Sequence, residues 1–291
     1  MKCFHHNDLD GRCAGAMVSQ YMDNRDPSNF IEVDYVKVPS TDIVSRGEDV
    51  FIVDYSFTEK TAHQLKAFID KKCHVIWIDH HQSSVDLLHH IDDPEFQFLK
   101  SKNLHIVVDT KLCGAALTFM YFEYETGHAM PRFLRYVDDW DRWTKRHSET
   151  RKFKLGIESI PHSPTDQIWR NLMFDSDTTE HLLQEGDIIE RYVDKSNAAY
   201  CKAFAFKCTF ENLNCYALNV RSNSEIFGDL INHCDAVITF IYDGDVYRYS
   251  IYSANPEIDC SKIAVKYGGG GHKGAAGFES DRLYIRKCDW N

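Results

Sequence analysis

The sequence predicts an α/β protein of two domains: a larger N-terminal domain on a mainly parallel sheet, and a smaller α/β C-terminal domain joined by a long helix. Two observations support this prediction. Short apolar runs alternate with helical patterns in the first half of the chain. The length of 291 residues also exceeds the usual size of one domain. We expect a first domain at 1–177, a connector helix at 178–205 and a second domain at 206–291.

The clearest predicted strand covers residues 75–78 and leads directly into Asp79, His80 and His81. Four consecutive apolar residues are typical of a strand buried on both faces, as in a parallel sheet. Polar groups at the carboxyl end of such a strand lie where open α/β sheets place their ligands. Because successive side chains of an extended segment point to opposite sides, one imidazole can bind a metal while the other faces a substrate.

A second group of polar residues follows the predicted strand at 2–5. His6, Asp8 and Asp10 alternate along the chain, so an extended turn would place their side chains on one side. A helix-capping aspartate would explain one of the acids but not three ligand-type residues in alternation. The predicted strand at 49–54 also ends in an acid, Asp54. Repetition at neighbouring strand ends predicts a metal site at one edge of the sheet.

Two further regions carry residues of interest. A predicted helix at 131–143 ends with Asp138, Asp139 and Asp141 beside two tryptophans, and a solvated helix face would account for at least one of these acids. The glycine-rich segment 268–277 contains His272 and Lys273. Its bare backbone could approach a phosphate and form an anion-binding nest, whereas a flexible linker is the alternative.

Composition excludes several classes of protein. The net charge of −11 disfavours a protein that binds long nucleic acid through its phosphates alone. The sequence contains neither a P-loop nor a G-x-S-x-G motif, which leaves nucleotide triphosphatases and serine hydrolases without support. The ten cysteines form no C-x-x-C pair, and no apolar run is long enough to span a membrane. We therefore expect a cytoplasmic protein that does not enter membranes.

The motifs His6-x-Asp8-x-Asp10, Asp79-His80-His81 and the glycine run before His272 together resemble the DHH phosphoesterase superfamily with its C-terminal DHH-associated domain. The resemblance covers nearly the whole chain and is strongest to the small oligoribonucleases called nano-RNases. It implies two divalent metal ions, with ligands from the following set: His6, Asp8, Asp10, Asp54, His80 and one acid of the pair Asp138 and Asp139.

Two positions depart from the family pattern or leave it ambiguous. Family members often place the first histidine four residues before the first aspartate, where this chain has Phe4. His6 lies two residues before that aspartate. In the fourth motif we prefer Asp139 over Asp138, because an arginine and an aromatic residue follow Asp139 closely.

The resemblance also implies roles around the substrate. Asp79 and His81 would act in catalysis, with His81 facing the substrate phosphate, and Gly270, Gly271 and His272 would bind the substrate from the second domain. Mixed imidazole and carboxylate ligation favours Mn²⁺ over Mg²⁺. The expected activity is hydrolysis of short oligonucleotides to mononucleotides by a water activated between two metal ions.

Several alternatives remain open at this point. The substrate could be a nucleotide 3′,5′-bisphosphate or a linear dinucleotide in place of a short RNA or DNA oligonucleotide. A non-catalytic nucleotide-binding module is a third hypothesis, although a pure binder has no need of two metal ions. The sequence also leaves a homodimer open.

Overall fold

The computed structural model describes residues 1–124 and 127–290, without the side chain of His272. The chain forms two compact units, Met1–Glu190 and Arg191–Asn291. One long helix, Ser176–Phe204, extends from the first unit into the second. The predicted α/β class, with a parallel sheet in the first half and a second sheet after the long helix, is confirmed.

Over the described part of the first unit there are five strands and seven α-helices before the long helix. The strands are β1 (Lys2–His6), β2 (Phe30–Val33), β3 (Asp49–Val53), β4 (His74–Asp79) and β5 (Leu104–Val108). The helices are α1 (Leu9–Tyr21), α2 (Ala62–Asp70), α3 (Gln82–His89), α4 (Gly114–Glu123), α5 (Arg132–Asp141), α6 (Thr150–Glu158) and α7 (Gln167–Phe174). The long helix Ser176–Phe204 is α8.

All five strands are parallel, in the order β2-β1-β3-β4-β5. β3 and β4 are almost wholly apolar because separate hydrophobic clusters cover the two faces of the sheet. Met17 and Phe119 belong to one cluster, and Phe68 and Trp77 to the other. Val53 pairs with Ile78, so the polar residues that follow the two strands emerge side by side at the carboxyl edge.

Residues 31–37 alternate in polarity as a strand does and would predict one, but in the structure β2 ends at Val33. The carboxylate of Asp34 accepts hydrogen bonds from the backbone N–H groups of Val36 (2.7 Å) and Lys37 (2.6 Å). The N–H of Asp34 in turn donates to the carbonyl of Lys37 at 2.9 Å. This side-chain-to-backbone bonding replaces the sheet ladder with a tight turn, a competition that aspartate commonly wins.

In its described residues, the second unit contains a six-stranded sheet, one short α-helix besides the end of α8, and a 3₁₀ segment at Ser224–His233. The strands are β6 (Phe206–Phe210), β7 (Leu213–Asn219), β8 (Ala236–Tyr242), β9 (Tyr247–Tyr252), β10 (Gly270–His272) and β11 (Ala275–Ser280), and the helix is α9 (Cys260–Lys266). The sheet order is β10-β11-β9-β8-β7-β6, with a parallel pair only between β7 and β8.

The glycine run of the second unit is a strand pair, because β10 pairs antiparallel with β11. A Cβ atom on Gly269 would lie 2.1 Å from the carbonyl oxygen of Gly277. Gly271 has a φ of +140°, and a Cβ there would lie 2.6 Å from the Cα of Ala276. The close approach of the two backbones therefore requires glycine at both positions.

Among the described helices, none combines the length and the apolar character needed to cross a lipid bilayer.

Candidate metal centre

Seven side chains converge at the carboxyl edge of the parallel sheet. They form three overlapping trios, and within each trio the candidate ligand atoms lie within 4.8 Å of one another. Asp54 and His80 each belong to two trios, so the three groups make one continuous centre. We call it the Asp–His cluster; its members are His6, Asp8, Asp10, Asp54, His80, His81 and Asp141.

The start of α1 positions the first members of the cluster. Asp8 is the N-cap of α1, and its carboxylate accepts the N–H of Gly11 at 2.9 Å. A Cβ on Gly11 would lie 2.4 Å from the carbonyl oxygen of His6, so only glycine allows this close turn. His6 Nδ1 lies 2.8 Å from Asp8 Oδ2, which joins the two side chains directly.

The start of α4 holds Asp10. The N–H groups of Gly114 and Ala115 donate to the two oxygens of the Asp10 carboxylate, at 2.7 and 2.9 Å. The free N–H groups and the dipole at a helix N-terminus stabilise a carboxylate in this position. A Cβ on Gly114 would lie 2.7 Å from the Cβ of Asp54, so glycine lets α4 approach both acids.

Asp54 is the most unusual member of the cluster. It follows β3 with a φ of +52°, in the left-handed region that non-glycine residues rarely adopt. Its N–H donates to the carbonyl of Ile78 at 2.9 Å, which fixes its place beside β4. Its carboxylate is buried, and neither oxygen has a hydrogen-bond partner in the described part of the chain. Backbone strain of this kind persists at functional sites, where the surrounding structure holds it.

His80 lies among three carboxylates. Its Nε2 is 3.2 Å from Asp54 Oδ1, 3.3 Å from Asp141 Oδ2 and 3.7 Å from Asp10 Oδ2. Within the described residues, His80 Nε2 and Asp141 Oδ2 form no hydrogen bond either. Burying a polar atom without a partner is costly, and burying an ionised one is more so. Four such atoms facing one another have the composition and proximity of ligands to divalent cations, so the residues present fit a metal centre.

The electrostatics of the cluster lead to the same conclusion. Burial, with the charges of Asp10 and Asp8, raises the pKa of Asp54 well above its ordinary value. Burial and neighbouring carboxylates also raise the pKa of Asp10 to about 6 and that of Asp141 to about 7. Burial lowers the pKa of His80. The protein alone therefore resists ionising these three carboxyls and His80, whereas bound dications would stabilise the ionised carboxylates.

Asp79 lies next to the cluster but outside its trios. Its carboxylate is fully buried; one oxygen accepts from His81 Nδ1 at 2.8 Å and the other accepts the hydroxyl of Ser84. Burial lowers the pKa of His81, but the hydrogen bond and charge of Asp79 outweigh it and leave the pKa raised. Asp79 therefore orients His81 through Nδ1, beside the cluster to which this ring belongs.

The structure does not bring Asp139 to the cluster. The buried carboxylate of Asp139 is surrounded by donors from the segment that follows α5, and the cluster receives Asp141 in its place. These donors are the hydroxyls of Thr144 (2.5 Å) and Thr150 (2.5 Å) and the N–H groups of Arg146 (2.7 Å) and His147 (3.2 Å). Asp138, the other acid considered, accepts the N–H of Cys113 at 2.8 Å.

Asp141 is thus the member of the Asp–His cluster that the sequence prediction did not include among the candidate ligands. One signal could have found it: Leu134, Val137 and Asp141 follow the i, i+3, i+7 spacing of one helix face. Leu134 and Val137 are both buried in the core that includes α1 and α4. The face of α5 that packs on α1 and α4 therefore brings Asp141 close to the cluster residues that these two helices position.

The three predicted substrate-binding residues lie in the second unit. Gly270 and Gly271 are on β10, as is the backbone of His272, whose side chain lies outside the described residues. Their role in substrate binding stays a prediction.

Comparison with known proteins gives relatives and a shared fold, although no family model matches the chain. The chain is 25% identical to the oligoribonuclease NrnB of Bacillus subtilis over 313 aligned residues, which cover 97% of this chain and 73% of that protein. It is also 25% identical to the uncharacterized protein R106 of Acanthamoeba polyphaga mimivirus, covering 80% of this chain but only 53% of the relative.

Two solved structures share the fold. The DHH domain of a member of a ribosomal-protein family superposes on this chain with a TM-score of 0.55 at 14% identity. The match covers 94% of this chain and 81% of the chain of that protein. These similarities support the resemblance to the DHH phosphoesterase superfamily. The pGpG-specific phosphodiesterase PggH of Vibrio cholerae, also with a TM-score of 0.55 and 14% identity, covers 96% of this chain and 93% of its own. The recognition made from the sequence is confirmed, and Asp79, His80 and His81 are the DHH motif of this chain.

Proposed function

We propose that this DHH phosphoesterase is a manganese-dependent phosphodiesterase that hydrolyses short oligonucleotides to mononucleotides. One observation carries the metal-dependent part: the buried oxygens of Asp54 and Asp141 and Nε2 of His80 face one another without hydrogen-bond partners in the described chain. A fold that needed these groups only for stability would supply donors to the carboxylates, as it does for Asp139.

Two divalent cations bound here would activate a water nucleophile at neutral pH and stabilise the charge that develops on phosphorus. The ligands we propose are His6, Asp8, Asp10, Asp54, His80 and Asp141, of which Asp141 replaces the predicted Asp139. Neither oxygen of Asp54 has a hydrogen-bond partner among the described residues, so both would be open to metal ions. The mixture of imidazoles and carboxylates favours Mn²⁺.

The chain's own groups would then bind and orient the phosphate. Because Asp79 accepts a hydrogen bond from Nδ1 of His81, the ring is held beside the cluster and its other nitrogen, Nε2, would be the one that meets a phosphate. The raised pKa of His81 favours its charged form, in which Nε2 donates to a phosphate oxygen. We propose that the backbone N–H groups of Gly270 and Gly271, with His272, bind the substrate in addition.

Two further arguments favour short oligonucleotides as substrates. The relative that aligns with 97% of this chain is named an oligoribonuclease. A net charge of −11 gives little electrostatic attraction to a long strand, whereas a short substrate depends mainly on contacts at the site itself. The ten cysteines are all free thiols in the structure, which suits the cytoplasmic location that we also propose.

Product analysis tests the proposal. End-labelled RNAs of two, five and twenty-four nucleotides are incubated with the protein and Mn²⁺, with EDTA as the metal-free control. We expect mononucleotides from the two shorter RNAs, slower release from the longest one and no product with EDTA.

A nucleoside 3′,5′-bisphosphate and pGpG are included as separate substrates. Release of inorganic phosphate from the bisphosphate without cleavage of any RNA would instead make the protein a phosphatase. Cleavage of pGpG and the two-nucleotide RNA alone would limit it to linear dinucleotides. No manganese-dependent turnover of these substrates or of bis(p-nitrophenyl) phosphate would favour a binding module.

A further inference from the structure

One large aromatic side chain stands exposed at the rim of the Asp–His cluster. Tyr35 is 58% exposed and lies in the turn that Asp34 closes after β2. Its ring centroid is 5.8 Å from that of His6, a member of the cluster. On another side its ring stacks on Tyr55, with centroids 5.4 Å apart and an angle of 29° between the planes.

This arrangement fixes Tyr35 in place while leaving much of its ring accessible. Tyr55 is only 1% exposed and itself packs edge-on against Phe57, at 5.2 Å between centroids. The aromatic support below Tyr35 is therefore part of the hydrophobic core. The turn is held from its other end by the two backbone hydrogen bonds to Asp34. An aromatic ring with a rigid support loses little conformational entropy when a planar ligand packs on it.

Burial of the phenol, with the carboxylates of Asp79 and Asp54 nearby, raises the pKa of Tyr35 above its ordinary value. The phenol thus stays protonated at neutral pH and is unsuited to act as a base. Its ring, rather than its acid–base chemistry, is the group that it can offer to a ligand.

We propose that Tyr35 is a specificity-determining residue whose ring stacks on a nucleobase of the substrate next to the scissile phosphate. The inference rests on the proposed function, because it assumes that a phosphodiester binds at the Asp–His cluster. Stacking on an aromatic side chain tolerates every base, since each base has a π-face. We therefore expect Tyr35 to select nucleotides over other phosphodiesters without selecting one base.

The test compares Tyr35→Leu with Tyr35→Phe in the full chain with Mn²⁺. The substrates are the dinucleotide pApA and two analogues in which one or the other adenine is replaced by hydrogen. Tyr35→Leu should lower kcat/KM for pApA by roughly 5- to 100-fold, mainly through KM. Tyr35→Phe should stay within about threefold of the wild type, because it keeps the ring.

The abasic analogue that lacks the stacked base should be cleaved equally by wild type and Tyr35→Leu. Tyr124→Leu is the matched control, because Tyr124 is 86% exposed and follows α4 at its far end. The N-terminal end of that ten-residue helix holds Asp10, about 15 Å away along the helix axis. Tyr124→Leu should leave all three rates unchanged.

Three results would overturn the inference. Tyr35→Phe and Tyr35→Leu could lose kcat/KM for pApA equally, or neither variant could lose any. The third is a loss of kcat/KM in Tyr35→Leu that has the same size for pApA and for both abasic analogues. If the wild type cleaves no substrate, the proposed function fails, but stacking remains testable by calorimetry. The probe is then a phosphorothioate analogue of pApA with Mn²⁺. It should bind Tyr35→Leu more weakly than Tyr35→Phe, and equal affinities would overturn the inference.

Discussion

Asp139 and Asp141 lie two residues apart on α5, and the structure gives their carboxylates opposite surroundings. Asp139 accepts four hydrogen bonds from the segment 144–150, which we call the Asp139 network. Asp141 lies in the Asp–His cluster, where its Oδ2 has no hydrogen-bond partner among the described residues. Residues two apart on a helix point in different directions, so one helix end serves two different sites.

The pKa values of the two acids reflect this difference. Burial opposes ionisation of Asp139, but its hydrogen bonds from Thr144, Thr150 and the backbone outweigh it and lower the pKa to about 2. Burial, with Asp10 nearby, raises the pKa of Asp141 to about 7. A buried carboxylate with a full set of donors stabilises the fold in its ionised form. One without donors destabilises the fold until a cation binds, which is why we assign Asp141 and not Asp139 to the metal centre.

The largest effect is expected for Asp54→Asn. Asparagine keeps the shape of the side chain and tolerates the left-handed backbone of this position, so the fold should be preserved. Losing the carboxylate should remove several kcal/mol of transition-state stabilisation, equivalent to roughly a 10³-fold fall in kcat/KM. Bound manganese per chain should fall as well. Elemental analysis and kinetics on the same preparation check this, and normal activity with normal metal content would refute a two-metal centre.

The next largest effect is expected for Asp141→Asn, which removes one proposed ligand but leaves the Asp139 network intact. We expect about a 100-fold loss of manganese affinity, with partial recovery of activity at high Mn²⁺. Since the variant also removes a strained buried charge, the metal-free protein should melt at the same temperature or higher. A manganese titration followed by activity gives the affinity; an unchanged curve would exclude Asp141 as a ligand.

A smaller effect is expected for Asp79→Asn, because Asp79 orients His81 and does not belong to the cluster trios. Replacing a charge-assisted hydrogen bond with a neutral one should lower kcat by about tenfold. Manganese stoichiometry should not change, which separates this variant from Asp54→Asn. Loss of metal together with activity would instead make Asp79 a ligand.

The smallest effect on activity is expected for Asp139→Asn. An asparagine would accept the hydroxyls of Thr144 and Thr150 more weakly than the carboxylate does, and its NH₂ group would face the backbone N–H of either Arg146 or His147. The free energy of unfolding should therefore fall by about 2–4 kcal/mol. Activity per folded molecule and manganese affinity should stay near those of the wild type. Urea unfolding measures the first quantity, and a manganese titration measures the second.

The Asp139→Asn comparison also predicts a pH dependence. A carboxyl whose pKa is lowered on folding stabilises the protein above its unfolded pKa, and this stabilisation is lost as the pH falls toward the folded value of about 2. The difference in unfolding free energy between wild type and variant should therefore shrink between about pH 4 and pH 2. A difference that stays constant over this range would mean that the Asp139 network does not depend on charge.

The contrast between the two acids also explains how far sequence reasoning reaches. The strand-end residues Asp54 and His80 could be predicted, because the apolar runs before them specify parallel strands whose carboxyl ends share one edge. The spacing of Leu134, Val137 and Asp141 on one helix face favours Asp141, but the surroundings of Asp139 could not be predicted in the same way. They depend on Thr150, eleven residues after Asp139, folding back to donate a hydrogen bond. No periodicity in the sequence encodes such a contact.

The end of β2 illustrates the same limit at shorter range. Residues 31–37 alternate as a strand does, yet Asp34 forms hydrogen bonds with the backbone of Val36 and Lys37 and closes a turn. Tyr35 is consequently presented at the rim of the Asp–His cluster and not within a sheet. A local competition between side-chain and ladder hydrogen bonds thus decides the placement of a residue for which we propose a function.

The most direct test of the account is anomalous diffraction from crystals of the protein grown with Mn²⁺. We predict two manganese peaks inside the Asp–His cluster, about 3.5–4 Å apart, with Asp54 contacting both and Asp141 contacting one. Asp139 should keep its four hydrogen bonds and contact neither ion. The absence of any manganese peak in the cluster, or an ion bound by Asp139 in place of Asp141, would contradict the account.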